Sequence, residues 1–129
     1  MRFKKQRLLV IILASLMVVG LIGCTTKGPS GSSALFKAGT YATEADGYGG
    51  KIKVETTFSD KEIVKVEIVE DSETVGIGSN AIDKIPSDIV ESQSLGVDAV
   101  SGATVTSEAI IEAVSKAVEE AGGDVNSLK

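Results

Sequence analysis

The residues with the most chemical potential in this chain lie near its C-terminus, in DAVSGATVTSEAI, Asp98 to Ile110. A carboxylate, Asp98, precedes the hydroxyls of Ser101, Thr104 and Thr106, with only Gly102, Ala103 and Val105 between them, and the stretch runs straight into an apolar helical pattern. A helix N-terminus presents unpaired N–H groups and the positive end of the dipole, which favours an anion, most often a phosphate. Small side chains at Ser101, Gly102 and Ala103 let a bulky ligand come close to the backbone. An ordinary strand-to-helix loop, in which Gly102 turns the chain and Thr106 caps the helix, would use the same residues. Spacing alone does not separate the two.

Composition narrows the chemistry further. The 129 residues contain no His, no Trp and one Cys, so a His-based triad, a His-ligated metal and a Cys-pair redox or disulfide framework all lack their parts. Carboxylates, hydroxyls or a borrowed cofactor are left to do any demanding reaction. The carboxylate pair Glu70-Asp71 reads as a solvated strand end and not as an acid/base dyad. Gly76-x-Gly78-x-x-Ala81 imitates a dinucleotide fingerprint, but Pro86 interrupts the helix it needs and no parallel βαβ unit surrounds it.

The elements that must position the hydroxyl loop are legible upstream and downstream of it. Gly39–Asp46, Lys51–Asp60 and Glu62–Asp71 read as strands; in the last two, Ile52, Val54, Thr56, Phe58 and then Ile63, Val64, Val66, Ile68 recur against charged residues with one face buried. Gly47-Tyr48-Gly49-Gly50 and Ser59-Asp60-Lys61 are the turns, which makes an antiparallel meander. Ser79 to Gln93 has helical spacing at Ile82, Ile85, Ile89 and Val90, with Pro86 expected to split it into two short turns. The final helix carries a continuous stripe of Ile110, Ile111, Val114, Ala117, Val118 and Ala121. Thr106 or Ser107 is its expected cap, Glu108 suits its positive end, and Gly122-Gly123 ends it. The expected fold class is α+β, a small antiparallel sheet with helices on one face.

The first 23 residues read as an export signal: MRFKKQR is basic and Leu8 to Gly23 is an uninterrupted apolar run, too short for the roughly 20 residues that span a bilayer. Leu21-Ile22-Gly23-Cys24 resembles the lipobox of bacterial lipoproteins, which implies that Cys24 is lipidated and becomes the mature N-terminus, anchoring the chain to the cell membrane and facing it outside the cytoplasm. Residues 24–38, rich in Gly, Ser and Thr, read as a flexible linker, 39–122 as the folded domain and 123–129 as a tail. Cleavage removes four of the 13 basic residues, so nine remain against 18 acidic ones and the mature charge is −9. Such a surface repels nucleic acid and suits a basic partner.

Over Gly39 to Ala121 the chain resembles the FMN-binding domain family. Asp98 to Thr104 is similar to its flavinylation motif, Asp-x-x-Ser/Thr-Gly-Ala-Thr/Ser, and GYGG at Gly47 to Gly50 and ETVGIG at Glu73 to Gly78 occur in the expected order. The resemblance implies that FMN is attached covalently to Thr104 through a phosphoester, by a separate flavin transferase that uses FAD and releases AMP. It implies that Asp98, Ser101, Gly102 and Ala103 serve transferase recognition and leave room for the phosphate, with Thr106 the cap or a further phosphate partner. Glu73, Thr74, Gly76 and Gly78 would form a loop beside the isoalloxazine, and Tyr48 would stack on it. The implied function is an extracytoplasmic electron carrier between a membrane electron donor and an external acceptor or reductase. A flavin-bearing component of a reductase and a cofactor-free envelope lipoprotein are the competing readings.

Overall fold

The computed structural model describes residues 34–129. The export signal, Cys24 and most of the linker lie outside the described residues. Strands β1 (Gly39–Asp46), β2 (Lys51–Phe58) and β3 (Ile63–Glu70) form one antiparallel sheet in the order β1-β2-β3, followed by helices α1 (Gly78–Ser92) and α2 (Thr104–Glu120) and a 3-10 turn, Val125–Leu128. The class is α+β, with α2 lying across β1 and β2 and α1 against β3 and α2.

Alternation decides which sheet face is covered. Thr43 and Ala45 of β1, Ile52, Val54, Thr56 and Phe58 of β2, and Ile63 and Val66 of β3 are buried beneath the helices, while Glu44, Lys51, Lys53, Glu55, Lys65 and Glu67 are not. Val64 departs from the expected inward set and is half exposed. A register shift opposite Thr57/Phe58 inserts it as an extra residue, so that Ile63 and Val66 can both face the core. A buried hydrogen bond from Thr43 Oγ1 to the Ala113 carbonyl, 2.7 Å, fixes β1 to the middle of α2. Gln93 joins the end of α1 to the start of β3: its Oε1 accepts from the Ile63 N–H at 2.8 Å and its Nε2 donates to the Ile63 carbonyl at 2.8 Å.

Pro86 does not split α1 in two. The helix is continuous over 15 residues, with Ile85, Pro86 and Ile89 all buried. Loss of one backbone bond at Pro86 is outweighed by burying that stripe against the sheet and α2. Helix α2 ends as expected: Gly122 adopts φ +79°, its N–H bonds the Glu119 carbonyl, and the Gly123 N–H bonds that of Val118.

Packing extends beyond both expected domain limits. Phe36, in the segment read as linker, is buried against Phe58 with ring centroids 4.8 Å apart, and the Lys37 N–H bonds the Ala121 carbonyl. At the other end, the Leu128 carbonyl accepts from the Leu95 N–H at 2.6 Å and from Ser94 Oγ at 2.7 Å. Among the described residues no helix is long and apolar enough to cross a membrane.

Candidate functional site

The hydroxyl loop is held from below. The Ala103 N–H closes a turn on the Val100 carbonyl at 2.9 Å, and Gly102 sits inside that turn at φ +81°, a left-handed conformation that a side chain resists. Helix α2 then begins at Thr104 with Ala103 at the cap position and no side-chain capping bond. Neither Thr106 nor Ser107 caps it, and no acidic residue lies in the first turn, so Glu108 is one step too far along to oppose the dipole there. Both hydroxyl residues are instead in the helix and buried. Ser107 Oγ accepts from the Val100 N–H at 3.0 Å and donates to the Ala103 carbonyl at 2.8 Å, locking the loop onto the first turn.

The first backbone bond of the helix runs from the Ser107 N–H to the Ala103 carbonyl. The N–H groups of Thr104, Val105 and Thr106 donate to no other described residue, which leaves three donors at the helix head. Thr104 is exposed, whereas Ala103 and Thr106 on either side of it are buried.

A cavity of about 370 Å³ opens over this helix head, lined by Gly102 to Thr106 on one side and by Tyr48 and Ile77 on the other. Tyr48 comes from the β1–β2 turn and is 71% exposed; Ile77 comes from the loop before α1 and is 50% exposed, and Val105 is 49% exposed. The cavity is thus a groove with apolar and aromatic surface facing a set of backbone donors. Among the described residues no Lys or Arg lines it.

The expected site residues divide. Thr104, Thr106, Gly102, Ala103 and Tyr48 line the groove together. Ser101 and Asp98 are exposed outside its lining, and Asp98 lies in a separate polar depression with Lys84 and Asp88. There the Lys84 ammonium is held protonated above its ordinary range, chiefly by its hydrogen bond to Asp88 and less by Asp98. Thr74 contributes its carbonyl to the Ile77 and Gly78 N–H groups, and Gly76 is open to solvent at φ +87°. Glu73 and Gly78 turn away from the groove: the Glu73 Oε2 accepts from the Gly49 N–H at 3.2 Å, and Gly78 is buried beside Glu73.

Two residues of the groove escaped the sequence reading, and a third was given a different role. Val105, off the buried stripe of α2, and Ile77, in the loop before α1, are exposed apolar positions, a signal for a surface waiting to be covered. Ser107 reads as a cap from composition, and only the fold shows it working from inside the helix.

Residues 47–119, more than half the chain, match the FMN-binding domain family. The chain belongs to that family. The match begins at the Gly47–Gly50 turn and ends in α2, so it encloses both walls of the groove. The FMN-binding domain is 37% identical over 94 residues to a NADH:acrylate oxidoreductase of Vibrio harveyi, covering 73% of this chain and 9% of that protein. It is 36% identical over 108 residues to a urocanate reductase of Eggerthella lenta, covering 81% of this chain and 18% of the relative. An uncharacterised Treponema pallidum protein is 40% identical over 89 residues, covering 69% of this chain and 25% of its own length. The chain therefore spans a quarter or less of these relatives.

The groove fits FMN on its own terms. Three unpaired backbone donors suit a phosphate at the helix head, and the open side of Gly102, where an added Cβ would meet nothing within 4 Å, leaves room beside Thr104. Tyr48, Ile77 and Val105 offer the partly apolar surface that an isoalloxazine would cover.

Proposed function

We propose that this FMN-binding domain is an extracytoplasmic electron-transfer flavoprotein, tethered to the membrane through lipidated Cys24, that carries FMN on Thr104 as a phosphoester. It receives electrons from a membrane reductase and passes them to an external acceptor or partner reductase. The observation that carries this reading is the position of Thr104, the exposed hydroxyl residue at the first position of α2, beside three unpaired N–H groups and at the lip of the groove.

Attachment requires that the Thr104 hydroxyl form a new O–P bond to the FMN-side phosphate of FAD while the bond to AMP breaks, AMP leaving and the hydroxyl proton passing to solvent. A separate flavin transferase supplies that catalysis. FMN supplies the one- and two-electron chemistry. The chain's own residues hold the phosphate at the helix head and cover part of the ring. The ester retains one negative charge, which the three N–H groups favour without a side-chain cation. Outside the cytoplasm a reversibly held cofactor is lost by dilution, and an ester prevents that loss. An acidic surface steers encounters with a basic partner.

The names of the V. harveyi and E. lenta relatives favour a second reading, in which the domain is the flavin-bearing part of a reductase acting on a small acceptor. Intact-mass measurement of the full chain co-expressed with a flavin transferase tests the attachment. Wild type is expected to gain one FMN adduct and Thr104→Ala none; an unmodified wild type beside an active transferase overturns it. Turnover of a soluble acceptor by the purified, loaded protein distinguishes the reductase reading from the carrier.

A further inference from the structure

We infer that Glu73 is a positioning residue, a strut whose carboxylate ties the Gly47–Gly50 turn to the loop before α1 and thereby sets where Tyr48 and Ile77 stand across from Thr104. The inference rests on the reading of the groove as the FMN site.

One side chain accounts for glycines in two separate motifs. A Cβ on Gly47 would lie 2.1 Å from Glu73 Oε1, and one on Gly78 would lie 2.7 Å from both Cβ and Oε2 of Glu73. A Cβ on Gly49 would strike the Ser72 carbonyl oxygen at 2.3 Å and approach Glu73 Cα at 3.0 Å. Gly47, Gly49 and Gly78 therefore all border the space that Glu73 occupies, with Ile52 also crowding Gly47, while Gly50 meets Ser72 instead.

Each loop closes on itself but not on the other. The β1–β2 turn is shut by the Gly47 N–H on the Gly50 carbonyl at 2.7 Å, and the loop before α1 by the Ile77 and Gly78 N–H groups on the Thr74 carbonyl. The hydrogen bond that crosses between them is Gly49 N–H to Glu73 Oε2, 3.2 Å. Tyr48 and Ile77 are each at least half exposed, so core burial does not fix them, and their placement follows the backbone that Glu73 joins. Glu73 Oε1 is shut off from solvent with no partner among the described residues. A dry, unpaired carboxylate oxygen opposes folding, which argues that Glu73 contributes geometry and not stability.

The test compares full-length wild type, Glu73→Ala, Glu73→Gln and Gly78→Ala. In flavin-free protein, amide hydrogen exchange at Gly49 is expected to be about tenfold faster in Glu73→Ala, the loss of one hydrogen bond to a charged group. Glu73→Gln retains an acceptor oxygen and stays within about threefold of wild type. Gly78→Ala displaces the Glu73 side chain and speeds exchange as Glu73→Ala does. After co-expression with the transferase, all four carry the same FMN mass, but Glu73→Ala and Gly78→Ala show brighter flavin fluorescence and weaker visible circular dichroism than wild type and Glu73→Gln. Unchanged Gly49 exchange, or unchanged flavin spectra at full loading, in Glu73→Ala overturns the inference; should that variant not fold, the same results in Gly78→Ala decide it. A wild type without adduct overturns the FMN reading instead, and the exchange measurement separates that failure from this one.

Discussion

The hydroxyl of Ser107 and the N–H of Val100 are 3.0 Å apart, and this bond joins the helix interior to the loop that presents Thr104. Because Ser107 is fully buried and also donates to the Ala103 carbonyl, its side chain serves both partners at once. The exposed Thr104 thus follows a loop whose fixed point lies three residues further along α2.

Ser107→Ala leaves the Val100 N–H without that acceptor, and the expected loss is about 1–2 kcal/mol of stability. Urea denaturation of flavin-free protein measures it. The variant should also accept FMN more slowly, because the loop around Thr104 samples more conformations. A loading rate equal to wild type in a measurably destabilised Ser107→Ala would separate loop order from modification.

Thr56 presents the opposite case. It is fully buried in the middle of β2, and its hydroxyl has no hydrogen-bond partner among the described residues. Thr56→Val keeps the shape and the β-branching and removes the unsatisfied oxygen, so it is expected to stabilise the domain by about 1 kcal/mol. Thermal and urea unfolding of the variant check the sign. A loss of stability would mean that the hydroxyl is satisfied in solution, by water for example.

Phe36 shows that the folded unit takes in residues the composition assigns to the linker. Its ring packs on Phe58 and fills the space beside Gly123, where a Cβ would come within 2.6 Å of it. Phe36→Ala is expected to cost about 3–4 kcal/mol, a large part of the stability of so small a domain. Denaturation midpoints of Phe36→Ala and of Leu35→Ala, whose side chain is exposed, measure the contrast.

What the sequence disclosed follows from periodicity. Alternation in β2 and the stripe from Ile110 to Ala121 each have one physical solution, and both the meander and α2 were legible from them. Val64 was misplaced because a bulge breaks the period that the reading relies on. The break expected at Pro86 is absent because the local backbone loss is offset by the burial of Ile85 and Ile89, which depends on the whole fold. At the groove, the placement of Thr104 and its small neighbours at the head of a helix was legible from residue type and spacing, whereas their link to FMN came from the family resemblance. The inward turn of Glu73 was not, because only the approach of two loops distant in sequence reveals what its carboxylate touches.

The outer face of the sheet offers a last prediction, on pH. The Glu44 carboxyl is held below its ordinary value of 4.5, first by the hydrogen bond from Lys51 and then by that charge, and the Lys51 ammonium is raised above 10.5 by the same partner. A carboxyl whose pKa is lowered on folding contributes stability that is present above its unfolded value and is lost as the pH falls through the folded one; the raised lysine contributes below 10.5 and loses its share as the pH rises beyond it. Both groups are solvent-exposed, so the pair is screened and its contribution is small. The Tm difference between wild type and Glu44→Gln is therefore expected to be flat from roughly pH 6 to 9 and to shrink below about pH 4. It should vanish in about 1 M salt at any pH. A difference that persists in high salt would show that Glu44 acts through packing on the sheet and not through its charge.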